Sequence, residues 1–217
     1  MDETINLDFT QRVVVDTEQQ PWIGSRSDGV VRKPLEREAM ESGRATSIVQ
    51  FMPGAAFPPH AHPMGEEIYV LDGVFSDERG DYPAGTYFRN PPGSSHAPFS
   101  KQGCTLFVKL EQFAPDDTES VVVDTRSEPW MPGIGGLKVM SLHHHLGEHT
   151  ALVLWPAGEK FKPHTHFGGE EILVLEGEFI DEHGRYPKGT WLRSPHFSQH
   201  HPYVEQDTLI WVKTGHL

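Results

Sequence analysis

One pattern is written twice in this chain. "PPHAHPMGEEIYVLDG" runs from Pro58 to Gly73 and "KPHTHFGGEEILVLEG" from Lys162 to Gly177, 104 positions later. About half the positions from Gly54 to Phe99 are identical to their counterparts, more than chance produces over such a span. Each copy opens with "VVVDT", at Val13 and Val121, and closes with "TLFVK" at Thr105 or "TLIWVK" at Thr208. A chain of 217 residues has room for two cores of roughly 100 residues each. The polar, Pro-containing segment "EQFAPDDTES" from Glu111 to Ser120 is the natural boundary, dividing the chain into domains 1–112 and 113–217.

Both copies read as β-structure. Short apolar runs such as "TSIVQFM", "EIYVL", "TALVLW" and "EILVL" sit between Gly, Pro and Asp punctuation, about ten residues apart. The one helix candidate, "KPLEREAMES", aligns with "MSLHHHLGE" and reads better as a hairpin with a longer loop. Gly73, Gly80, Pro83 and Gly85 recur as Gly177, Gly184, Pro187 and Gly189, as hairpin turns require.

The other recurring residues are polar: His60, His62, Glu66, Glu67 and His96, matched by His164, His166, Glu170, Glu171 and His200. A turn does not need histidine. In a strand, His60 and His62 project to the same side. "PMG" then turns the chain, and the Pro-Gly turn in "NPPGSS" can return His96 from a distant strand. Three imidazoles and a carboxylate suit a divalent metal: zinc, iron, nickel or manganese. Periodicity leaves the carboxylate open, because Glu66 and Glu67 point to opposite faces and both faces are apolar.

These residues resemble the motifs of the cupin superfamily. The first motif is met by Gly54, His60, His62, Glu66 and Gly73, and again by Gly158, His164, His166, Glu170 and Gly177. The second is met by Gly85, Pro91, Gly93 and His96, and by Gly189, Pro195 and His200 with Phe197 in place of the turn glycine. The resemblance selects Glu66 and Glu170 over their neighbours and implies two tandem all-β, double-stranded β-helix (jelly-roll) barrels. With Phe197 at its turn, His200 is expected to arrive along a different backbone path. The first copy is similar to the cupin domain of ChrR-type anti-sigma factors, which implies zinc held by the four ligands of each copy. The family's sigma-binding module needs a His and Cys-x-x-Cys segment ahead of the cupin. About a dozen residues precede the first repeat here, so sigma-factor binding is not expected.

Other features narrow the function. The net charge of −13 argues against an electrostatic grip on nucleic acid. No run approaches the ~20 apolar residues that span a bilayer, and "MDETINLDFT" lacks a signal-peptide pattern, so a cytoplasmic protein is expected. Cys104 alone forms no intrachain disulfide and reads as a small core residue; oxidative chemistry near the first metal is its alternative role. "HHH" at His143 to His145 reads as a surface hairpin. Arg89 and Arg193 read as structural ion pairs, with an anionic ligand as the alternative. Two functions follow: a metal-binding sensor or small-ligand binder, or an iron-dependent dioxygenase acting on a small diketone or aromatic ketone. No further constellation supplies a nucleophile or base, and the enzyme question stays open at this stage.

Overall fold

The computed structural model describes residues 4–39 and 41–217. They form strands, turns and loops with no helix, hence no helix long and apolar enough to cross a membrane. The "KPLEREAMES" segment is the end of the Val30–Arg37 strand and the loop to Ala45–Phe51; its Met40 lies outside the described residues.

Two compact units result, and they are not the halves 1–112 and 113–217. One comprises residues 1–7 and 21–127, the other 8–20 and 128–217. The copies exchange their first strands. Val13–Asp16 pairs antiparallel with Thr190–Ser194, and Val121–Asp124 pairs with Thr86–Asn90. Both edge strands read Val-Val-Val-Asp. The same latch closes both: Thr17 Oγ1 donates to Gly189 O and Thr125 Oγ1 to Gly85 O, each at 2.6 Å.

In the first unit the main sheet runs, edge to edge, through Val121–Asp124, Thr86–Asn90, Glu66–Asp77, Cys104–Leu110, Ala45–Phe51, Val30–Arg37 and Ile23–Gly24. The second unit repeats the order with Val13–Asp16, Thr190–Ser194, Glu170–Glu176, Thr208–Thr214, Glu148–Trp155, Lys138–His145 and Met131–Pro132. Each core fills with residues from alternate strand positions, among them Phe51, Ile68, Phe75, Phe88 and Leu106 in the first unit. Trp155, Ile172, Phe179, Leu192 and Ile210 do the same in the second. Cys104 belongs to the first core, and burial pushes its thiol up to about 11. Gly73 shows why the turn glycines recur: its φ is +73° and a Cβ there would sit 2.1 Å from Gly103 O.

The polar segment 111–120 is more than a boundary. Phe113 is buried, with the Arg89 guanidinium 3.8 Å above its ring, and Asp117 forms a short ion pair with Arg89. Glu67 lies 3.6 Å from Arg89 and accepts a 2.6 Å bond from Tyr87. Arg193, the counterpart, donates to Asp8 O at 3.0 Å and stands 4.4 Å over Phe9. Both arginines are structural. His143 is buried while His144 is exposed, so only part of the histidine run faces outward.

Phe197 does not divert the second copy. Its N–H bonds His166 O at 2.9 Å, as Gly93 N–H bonds His62 O at 2.9 Å, and it adopts the left-handed φ of +63° where Gly93 has +82°. The path is kept and the residue is strained, its ring exposed against Phe167 at 5.4 Å.

Three outcomes test this description by chemical denaturation. Asp117→Ala should destabilise the first unit by about 3 kcal/mol, because it leaves a buried guanidinium short of its partner. Glu205→Ala, which removes an exposed partner of Arg185, should leave the midpoint nearly unchanged. Phe197→Gly should stabilise the second unit by about 1 kcal/mol by relieving the left-handed strain.

Candidate metal centres

A two-stranded ribbon builds each site. His60–His62 pairs antiparallel with Ser94–His96, in a register that sets His60 opposite His96. Alternation then puts His60 and His62 on one side with His96 facing them. Their rings stand 4.8 to 5.2 Å apart, centroid to centroid, and one nitrogen of each lies within 4.8 Å of the others. The second unit repeats this with His164 opposite His200, and His166, His164 and His200 gather in the same way.

The Glu-Glu dipeptide divides between faces. Glu66 enters the cluster, its Oε2 3.4 Å from both His62 Nε2 and His96 Nε2. Glu67 faces away, to Tyr87 and Arg89. In the second unit Glu170 Oε2 is 3.5 Å from His166 Nε2 and 3.6 Å from His200 Nε2. Glu171 instead accepts bonds from Trp191 Nε1 at 2.8 Å and His216 Nε2 at 3.1 Å. The structure therefore brings together all eight residues singled out in the sequence, four in each unit.

A second layer orients these side chains, and sequence reasoning missed it. His60 Nδ1 donates to Pro58 O at 2.9 Å and His164 Nδ1 to Lys162 O at 3.0 Å, which turns each Nε2 inward. Asp77 lies 3.3 Å from His96 Nδ1, and Asp181 3.6 Å from His200 Nδ1. Asn90 Nδ2 donates to Glu66 Oε2 at 2.9 Å. Asp77 and Asp181 recur in "FSDERG" and "FIDEHG" at the same offset as the histidines, and that recurrence was the available signal.

Electrostatics distinguishes the copies. Burial, then the charges of His60 and Arg79, holds His62 down to about 4. Burial also lowers His96 and raises Glu66. In the second unit burial, then His200, holds His166 down to about 3, and burial pushes Glu170 up to about 7. Burial opposes the proton on His200, but the Asp181 hydrogen bond and the Glu170 carboxylate outweigh it and raise that group. Arg12 accounts for part of the difference in setting. It reaches from the exchanged segment to Asp181 at 2.9 Å and Tyr186 at 2.7 Å, whereas in the first unit Arg79 binds Asp77.

The donor set fits a divalent metal. His62 and His96 are 4% and 2% exposed, and the Nε2 of each is buried with no hydrogen-bond partner. An imidazole nitrogen left so costs free energy unless something receives its lone pair. Neutral rings converging on one carboxylate oxygen meet that need with a cation.

No curated protein matches the sequence. Among solved structures, a candidate dioxygenase from Nostoc punctiforme is 17% identical, with 96% of this chain and 84% of that one aligned at a TM-score of 0.81. The Escherichia coli pirin YhhW, in complex with nickel(II), is 13% identical over 94% of this chain and 98% of its own, at 0.71. Mutant Bacillus subtilis oxalate decarboxylase OxdC is 12% identical over 93% and 76%, at 0.66. At these identities the likeness concerns the fold. The ChrR cupin-like domain matches residues 10–114 and again 118–217, and with nearly its whole length covered by two such matches this chain belongs to the ChrR cupin-like family.

Proposed function

We propose that this protein is a bicupin holding one divalent metal in each unit, and that the first unit binds a small molecule at its metal. The ligands are His60, His62, Glu66 and His96, and His164, His166, Glu170 and His200, with zinc, the metal that the likeness to ChrR-type cupins implies, as the first choice. The observation that carries the reading is the pair of orphaned Nε2 atoms, of His62 and His96, beside Glu66, with His62 and Glu66 at the wall of a cavity of about 480 Å³. That volume lies within the ordinary range for a small-molecule site. His60, His62 and Glu66 line it together with Phe51, Phe57 and Ile68, so a ligand inside would meet the metal and an apolar wall at once.

A bound divalent cation would supply Lewis acidity to a ligand oxygen. The chain's own residues prepare that place. Asp77 and the Pro58 carbonyl set the ring orientations of His96 and His60, Asn90 fixes Glu66, and the aromatic side chains exclude water. The cavity also favours a second reading, an iron-dependent dioxygenase acting on a small diketone or aromatic ketone, since a substrate has room beside the histidines. Elemental analysis of anaerobically purified protein, with oxygen uptake by its iron-loaded form, decides between the two. Oxygen consumption coupled to loss of a diketone supports the enzyme; a zinc protein inert to oxygen supports the binding role.

Metal content is expected to be two equivalents per chain, and His60 and His62 changed together to Ala should remove one and leave the other. Full metal content in that variant would overturn the ligand assignment. Metal bound only by the folded state stabilises by about 4 kcal/mol at a thousandfold excess over Kd, so a chelator at neutral pH should lower the melting temperature.

The two sites should also separate on acidification. Burial raises both Glu66 and Glu170 and holds both His62 and His166 low, but His200 is raised where its counterpart His96 is lowered, so the second site takes up its first histidine proton at the higher pH. The equivalent lost first, between roughly pH 7 and 5, should be the one missing from a His164→Ala/His166→Ala variant. In the chelated protein the signs are opposite for the two kinds of group. The lowered His62 and His166 contribute stability that is present above pH ~6.5 and fades as pH falls toward their folded values. The raised Glu170 contributes stability that is present below pH ~4.5 and fades as pH rises through 7. Metal content measured against pH, alongside melting of the chelated protein, checks both.

A further inference from the structure

The end of the first unit's cavity away from the histidines carries charge. The Val30–Arg37 strand pairs with Ala45–Phe51 so that Val30 faces Phe51 and Arg32 faces Val49. Strict alternation would then send Arg37 outward. A bulge between Pro34 and Glu36 adds one residue and sets Arg37 opposite Ala45, on the inward face. Both guanidinium side chains line the cavity, and the residues are only 8% and 4% exposed.

An ion pair explains part of this arrangement. Glu41 forms a short contact with Arg32 and lies 3.4 Å from Arg26. Arg37 reaches Ser47 Oγ at 3.4 Å, and burial, then the charge of Arg32, draws it down to about 10. Yet Arg32 Nε is buried with no hydrogen-bond partner. Arg32 therefore keeps a buried N–H with no acceptor beside a second buried guanidinium, and a carboxylate is the group whose paired oxygens suit such donors. The carboxylate beside Arg32 in this structure comes from the neighbouring loop, and Glu41 shows that the guanidinium accepts one there.

The arginines are not part of the repeat. By strand register Arg32 corresponds to Val139 and Arg37 to His144, although every metal-ligand candidate is kept. The fold does not need a cation at either place, since the second barrel forms without one. The row from Arg37 through Ala45 and Leu110 to Glu66 crosses three strand spacings, roughly 14 Å along the sheet at about 4.8 Å each. A ligand that reaches both ends therefore needs an apolar body between its anionic group and the atom it offers the metal.

We infer that the first cavity takes an extended organic carboxylate, an aryl-alkyl or medium-chain acid. Its carboxylate is held by Arg32 and Arg37 in place of Glu41, and its far end is turned to the His60, His62, Glu66 and His96 centre. This rests on the metal reading of that cluster. Calorimetry on the full, metal-loaded chain tests it with a panel of phenylalkanoates and alkanoates, 4-phenylbutyrate among them, each beside its neutral amide. Acids should bind at least tenfold more tightly than their amides. Arg32→Gln should remove that preference with metal content unchanged, and Arg32→Lys should keep part of it. Glu41→Gln takes away the internal competitor without touching the core and should tighten acid binding several-fold.

Binding of no acid in the panel, equal affinity for acid and amide, or an unchanged affinity in Glu41→Gln would overturn the inference while leaving the metal reading intact. Arg32-dependent acid binding by a protein that takes up no metal would show the reverse: the carboxylate site stands and the metal reading fails.

Discussion

The first unit depends on a single alternation in the backbone. Glu66 and Glu67 are adjacent in a strand, so one carboxylate must enter the barrel and the other must leave it. The inner one meets two imidazoles whose Nε2 atoms have no hydrogen-bond partner. The outer one anchors a buried arginine that also needs Asp117 and Phe113. A slip of one residue would exchange these roles, setting a carboxylate against the wrong face and leaving Arg89 uncompensated. The site and the packing behind the sheet are therefore specified by the same two residues.

Duplication kept this device and let the surroundings diverge. Both units hold three histidines and a glutamate in one register, with an aspartate behind the histidine of the second strand. They differ in how that aspartate is held, by Arg79 from the adjoining turn or by Arg12 from the exchanged segment. Phe197 keeps the turn of the second copy at the expense of backbone strain, which the hydrogen bond to His166 O and the surrounding sheet over-determine. The larger divergence lies across the first barrel, where two arginines stand in positions the second fills with valine and histidine.

The exchange of first strands carries a physical lesson about repeats. When two edge strands have the same sequence, local pairing energy does not choose between the two sheets, and chain geometry does. The segment from Glu111 to Ser120 has the composition of a linker, yet it covers the outer face of the first sheet with Phe113 and pairs Asp117 to Arg89. Polarity marked it as a boundary. Its buried members were chosen by what they cover.

By itself the sequence determined the all-β class, the duplication, the turn positions and the six histidines that gather in the two clusters, because strand period, glycine placement and spacing are local properties repeated at a constant offset; the choice of Glu66 and Glu170 came from the family resemblance. Tertiary structure put those glutamates against the histidines by contact, and it alone decided which sheet receives each Val-Val-Val-Asp strand and how Asp77, Asp181 and Asn90 brace the ligands. It also decided that Arg32 and Arg37 face one cavity, since a bulge reverses the face of every residue beyond it. These choices depend on register and on what packs against each face, and neither is written in the periodicity of a single strand.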